Sequence, residues 1–234
     1  MKTGLSIEIT SKRIIVWSYL HAVIIILGTG ISLYNGQLWW LAIGGALSFL
    51  LLILLSYNNW TPNNIFGFAN LLTLTRLLLV LWIAVCYWRF SNTVIIALSL
   101  VILMADGLDG LIAKRRSEVS GFGEYFDKET DAFYLHILIL AAIFKDLIPQ
   151  WLVFVGLFRY LFMLYLLASG KSDRKESRSK AGRYIFVYAC IAFTLLFLNI
   201  PVLHLPAVGL AAILIAYSFL RDIVWIHSNN LKSD

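Results

Sequence analysis

Charge is scarce in this chain of 234 residues: 14% are Asp, Glu, Lys or Arg, against 60% that are hydrophobic. Soluble domains carry roughly 25% charged and 45–50% apolar residues, so a water-solvated surface cannot be assembled from this composition. Proline is limited to four residues, which leaves long stretches without a helix breaker. Only two cysteines occur, Cys86 and Cys190, each inside an apolar run with neither CxxC spacing nor a histidine at ligand spacing. A disulfide framework and a thiolate metal site are thereby excluded, and inert buried thiols are expected. Disorder is excluded as well, because a mean hydropathy of +0.82 with 15% aromatics is the reverse of its signature. The net charge of +6 does not point to nucleic acid, since the Lys and Arg residues gather at the ends of apolar runs instead of forming an aromatic-interleaved patch.

What the chain has in abundance is continuous apolar sequence. Runs of about 20 residues, the length needed to cross a bilayer core of about 30 Å, fall at 14–34, 38–57, 72–90, 93–113, 123–144, 150–169, 183–200 and 206–226. They predict an all-α integral membrane protein with eight transmembrane helices. Barrel strands are excluded by run length and by the lack of inward polar alternation. The first run is too long for a signal h-region of 7–15 residues and is expected to stay as a helix. Lys2, Lys12, Arg13, Lys114, Arg115, Arg116, Lys171, Arg174, Lys175, Arg178, Lys180 and Lys232 all fall on one side of this topology. The positive-inside bias therefore places both termini and that side in the cytoplasm, with a bacterial or archaeal cytoplasmic membrane as the expected location. The segment YNNWTPNNIFGFAN, at 58–71, interrupts the pattern and is expected at the cytoplasmic interface, with Trp60, Phe66 and Phe68 at headgroup depth. The organisation is thus an N-terminal helix pair (1–57), an interfacial amphipathic segment (58–71) and a six-helix core (72–234).

Seven of the 13 acids fall between Asp106 and Asp131. A carboxylate at depth in a membrane helix costs roughly 2.5–3.5 kcal/mol on insertion scales, so such a cluster demands a counter-charge. Asp106 and Asp109 are three residues apart and Asp127 and Asp131 four apart, which puts each pair on one helix face. At a rise of about 1.5 Å per residue, an antiparallel hairpin brings Asp109 level with Asp127 and Asp106 level with Asp131. Basic residues inside the helices look too few to pair these acids. All-oxygen ligation instead suits Mg²⁺ or Mn²⁺, and four carboxylates suggest two ions. Gly110, Ala113 and Gly123 continue the acidic faces. Such residues serve close helix packing, but beside the acids they also leave a floor for a flat ligand such as a nucleotide.

The run Asp106-Gly-Leu-Asp109-Gly110-Leu-Ile-Ala113-Lys114, followed by Gly123, Asp127 and Asp131 at fixed intervals, resembles the signature of the CDP-alcohol phosphotransferases. Upstream, Asn70-Leu-Leu-Thr73-Leu-Thr-Arg76 is similar to the opening of that family's first core helix, and the likeness extends over 58 to about 227. The resemblance implies transfer of a phosphoalcohol from a CDP-linked donor, CDP-diacylglycerol in most members, to a small polar alcohol with release of CMP, by a homodimer. It assigns Asp106, Asp109 and Asp127 to metal ions on the pyrophosphate. Asp131 becomes either the general base or a further metal ligand, and Asp106, Gly110, Ala113, Lys114, Gly123 and Thr73 bed the nucleotide. Lys114 departs from the family's Arg; Arg115 or Arg116 can restore a guanidinium there.

Arg76 and Arg159 are intramembrane charges that call for an anionic partner, either a substrate phosphate or, for Arg159, Asp131 or another buried acid. Lys180 and Arg183 open the seventh helix, where they serve an anionic acceptor or simply topology. Glu118, Glu124 and Glu129 read as solvated or structural. Two other classes fit an acid cluster in a membrane: an aspartate-rich prenyltransferase, which releases pyrophosphate and lacks the Gly110, Ala113, Gly123 pattern, and a cation or proton transporter. Transport needs polar groups continuing to the far side, where these helices are almost wholly apolar.

Overall fold

The computed structural model describes residues 2–170 and 180–228. Lys171, Arg174, Lys175, Arg178 and Lys232, used above for orientation, lie outside the described residues. Among those described, the chain forms eight α-helices and two 3₁₀ turns, with no strand. The helices are α1 (Lys2–Asn35), α2 (Trp39–Leu55), α3 (Phe68–Cys86), α4 (Asn92–Arg115), α5 (Gly121–Phe144), α6 (Val153–Ala168), α7 (Lys180–Leu195) and α8 (Pro201–Ser228).

Among the described residues, five spans are long and apolar enough to cross a membrane: Lys12–Asn35, Phe68–Cys86, Gln150–Ala168, Ala181–Leu198 and Leu205–Trp225. Trp39–Leu55 and Asn92–Leu108 are apolar but shorter. In α5, Glu124, Asp127, Lys128, Glu129 and Asp131 occupy the first half, so its apolar part begins only at Ala132. The charged residues in the first half of α5 are therefore what shorten its apolar stretch relative to the expected run.

α5 is the axis of the bundle. Every residue from Ala132 to Ile143 is buried, as expected of a helix that is apolar all round. It packs against α3, α6 and α7, and α1 reaches it beside α6. α1 pairs with α2, α3 with α4, and α7 with α8. Outward-facing Leu47, Leu54, Leu78, Met104, Phe154 and Ile213 leave an apolar exterior suited to lipid.

Several boundaries move for local reasons. α3 starts at Phe68 instead of 72, because Gly67 takes φ 78°, ψ 157°, a conformation open essentially to glycine alone. A Cβ there would also lie 2.8 Å from Thr61 Cγ2 and 3.0 Å from Glu118 Oε2. Residues 58–66, expected at the interface, form turns, and the last residues of that segment already belong to α3. α7 stops at Leu195 and runs into the 3₁₀ turn Leu196–Leu198, closed by Asn199 at φ 56°. α8 begins at Pro201, where a missing N–H costs nothing, and carries Pro206 within it.

Candidate active site

The α4–α5 connection spans residues 116–120. Ser117, at φ 55°, turns the chain out of α4, and Ser120 caps α5 by accepting a hydrogen bond from the Gly123 N–H at 3.0 Å. The same Ser120 hydroxyl donates to the Trp60 carbonyl at 2.6 Å. Asn70 donates to the carbonyls of Phe66 (2.6 Å) and Trp60 (3.1 Å). Glu118, expected to be solvated or structural, is structural: its carboxylate accepts from the Ala69 N–H at 3.0 Å and so caps α3 from 49 residues away. These bonds fix the N-terminal ends of α3 and α5 side by side.

One carboxylate oxygen each from Asp106, Asp127 and Asp131 lies within 4.8 Å of the others. The antiparallel register expected from helical rise is thus reproduced for Asp106 and Asp131, with Asp127 joining them. The side chains of Asp109, Lys114 and Lys180 lie outside the described residues.

Arg76 stands behind this group, 1% exposed. Its guanidinium reaches Asp106 Oδ1 at 2.9 Å and Asp127 Oδ1 at 2.7 Å, and it bonds Asp131 Oδ1 as well. Intramembrane basic residues are not too few to pair the acids, contrary to expectation, because one fork-shaped guanidinium touches three carboxylates. Arg76 was expected on a substrate phosphate, and the structure puts it on the aspartates. Three carboxylates and one guanidinium leave a charge of −2 before Asp109 is counted, which is what a divalent cation neutralises. Ligand oxygens around an octahedral Mg²⁺ lie about 3.0–4.2 Å apart, so oxygens already within 4.8 Å of one another need close only slightly to hold such an ion, and the all-oxygen donor set suits it.

Arg159 finds its partner in Glu129, the buried-acid alternative foreseen for it. Its NH2 nitrogen donates to Oε1 at 2.6 Å and its Nε to Oε2 at 3.1 Å, with Glu129 1% and Arg159 15% exposed. Glu129 therefore faces α6 while Asp127 and Asp131 face α4, as a two-residue offset of about 200° around a helix requires.

A cleft of about 810 Å³ reaches Asp127 and Asp131, lined also by Thr73, Gly110, Ala113, Gly123, Arg159 and Arg183. Gly110 faces open space, with nothing within 4 Å of where a Cβ would stand. Gly123 differs: a Cβ there would lie 2.8 Å from Asn70 Oδ1, so its missing side chain is filled by Asn70 of α3. Thr73 lines the cleft while bonding its own helix at the Ala69 carbonyl, 3.2 Å away. Arg116, one of the two expected substitutes for a guanidinium at 114, lies over the Phe68 ring at 4.3 Å. Asn70, Ser120 and Glu118 were not singled out as site residues from sequence. The signal for Asn70 was its place at the head of the Asn70-to-Arg76 motif.

A family model described as CDP-alcohol phosphatidyltransferase matches residues 66–225. A probable cardiolipin synthase (CMP-forming) of Drosophila melanogaster is 32% identical over 102 residues, which is 43% of this chain and 32% of that protein. The match thus spans about a third of the relative's length. No solved structure matches significantly.

Proposed function

The chain belongs to the CDP-alcohol phosphatidyltransferase family, and from that premise we propose that it transfers a phosphatidyl group from CDP-diacylglycerol to a small polar alcohol, releasing CMP. The observation that carries the reading is the meeting of Asp106, Asp127 and Asp131 oxygens within 4.8 Å, the last two residues also lining a cleft bordered by small residues. Family membership sets aside the prenyltransferase and transporter readings.

In this reading Asp106, Asp109 and Asp127 hold Mg²⁺ or Mn²⁺, two ions with Asp131 contributing. When bound, the metal supplies charge neutralisation at the pyrophosphate and polarises the phosphorus under attack. Gly110 and Ala113 let the cytidine ring approach the α4 backbone, with Thr73 and Gly123 opposite and Lys114 beside the phosphates. The acceptor oxygen forms its bond to the phosphatidyl phosphorus as the bond to CMP breaks, and Asp131 takes the hydroxyl proton. Arg76 keeps the carboxylates gathered and counters their charge. Lys180 and Arg183 attract anionic substrates at the cytoplasmic mouth, in a homodimer with both termini on that side.

Cardiolipin formation is a second reading, favoured by one observation. The part of the cleft beyond Asp131 has apolar walls, including Leu135, Val155, Ile185, Phe186 and Phe219, which suit an acceptor that is itself a lipid. The experiment is CMP release from CDP-diacylglycerol by the purified protein with Mg²⁺ or Mn²⁺, screening soluble alcohols against a phospholipid bearing a free glycerol hydroxyl. Absence of CMP with every acceptor refutes the transferase reading.

A further inference from the structure

The N-terminal pair α1–α2 stands outside the matched residues 66–225, yet its buried polar groups converge on the catalytic helices. Thr29 of α1 donates its hydroxyl proton to the Ile25 carbonyl at 2.7 Å. That proton being committed, the contact of 2.7 Å between Thr29 Oγ1 and His136 Nε2 must be a bond donated by the imidazole N–H of α5. The other ring nitrogen, Nδ1, then carries no proton, and it faces Gly156 of α6, where a Cβ would stand 2.4 Å away. Only glycine allows α6 to close on that ring.

One turn of α6 further on, Tyr160 is held edge-on between His136 and His21, each with ring centroids 5.8 Å from its own. His21 is fixed in turn by Ser48 Oγ of α2 at 2.8 Å and by stacking on Trp17 at 4.8 Å. His21, His136 and Tyr160 are fully buried. Tyr160 adjoins Arg159, which grips Glu129, and His136 lies five residues, about 7.5 Å, beyond Asp131.

We propose that α1–α2 is a positioning element for the catalytic centre: through the Thr29–His136 bond and the His21–Tyr160–His136 ring sandwich it sets the depth and rotation at which α5 presents Asp127 and Asp131. The proposal rests on the transferase reading for its turnover arm only. The metal-binding arm stands by itself.

The test compares Thr29→Val, which keeps the side-chain shape and removes the acceptor, with Thr29→Ser, which restores it. Mn²⁺ binding to the purified full chain is measured beside kcat, donor KM and the folded fraction. The expected result for Thr29→Val is Mn²⁺ affinity weakened severalfold and kcat lowered roughly 10- to 100-fold per folded molecule, since misplacement by about 1 Å can cost 10²-fold. Donor KM moves little, and Thr29→Ser recovers both losses. Ser18→Ala removes a buried hydroxyl bonded within α1, to the Ile14 carbonyl, and is expected to leave both quantities unchanged. Ser48→Ala loosens the sandwich from α2 and gives the same signature more mildly, which serves if Thr29→Val does not fold. Unchanged Mn²⁺ affinity in Thr29→Val and Ser48→Ala, or losses matching only the fall in folded fraction, overturn the proposal. A wild-type protein that binds Mn²⁺ but releases no CMP counts against the transferase reading, and the binding comparison still decides this one.

Discussion

Arg159→Met has a large stability consequence legible in the structure. The change deletes a guanidinium that makes two bonds, of 2.6 and 3.1 Å, to a glutamate that is 1% exposed. What remains is a buried carboxylate without its counter-charge. Hydrogen bonds to charged groups contribute about 1.5–3 kcal/mol each, and removing one partner of a buried pair costs about 3–5 kcal/mol. For a chain of this size that is roughly 6–20 °C in Tm, at about 2–4 °C per kcal/mol. Replacing both partners is a different matter, because a pair substituted by groups that need no counter-charge is often neutral. Thermal melting in detergent should therefore show Arg159→Met and Arg159→Ala strongly destabilised, with most of the loss recovered in Arg159→Met/Glu129→Leu. The cycle isolates the coupling between the two side chains. A single-variant loss below about 1 kcal/mol, or a double variant no more stable than Arg159→Met, would refute the reasoning and free Arg159 for a phosphate role.

Other outcomes follow from the same geometry. Asp127→Asn and Asp131→Asn should each abolish CMP release, and Asp127→Asn should also weaken Mn²⁺ binding measured directly; a variant with wild-type turnover would remove that residue from the site. Metal removal with a chelator should stop CMP release and Mn²⁺ should restore it, so turnover that persists in the chelator contradicts the metal assignment. Gly123→Ala forces a methyl to within 2.8 Å of Asn70 Oδ1 and should lower Tm, whereas Gly110→Ala meets open space and should leave Tm unchanged while raising donor KM. Ser120→Ala removes the cap of α5 and should cost about 1 kcal/mol in a melt.

How much of this the sequence announces varies with the physics behind each feature. Helix existence and the meeting of Asp106 with Asp131 follow from run length and rise per residue, two quantities that tertiary packing barely alters. Helix rotation is another matter. Nothing in the spacing of Asn70, Thr73 and Arg76 says that Arg76 points at the carboxylates while Asn70 fills the gap beside Gly123, because that depends on how α3 lies against α5. The Glu129–Arg159 pair was half legible: a deep arginine demands an acid, but choosing Glu129 over Asp131 needs the azimuth of α6. Gly67 lies beyond sequence reasoning for a similar reason, since its role depends on Glu118 arriving from another helix connection to bond the Ala69 N–H. Among the described residues five candidate spans stand where run length suggested eight, in part because α5 opens on charged residues and α2 is only 17 residues long.

The burial of α5 on all sides bears on how the protein is made. A segment that begins with five ionisable side chains and later meets almost no lipid has no comfortable resting place in the bilayer by itself. During synthesis it must wait, sheltered by insertion machinery or by the already emplaced α3, until α6 and α7 emerge to enclose it. Release of this helix from the translocon should then depend on chain that has not yet been translated when it leaves the ribosome.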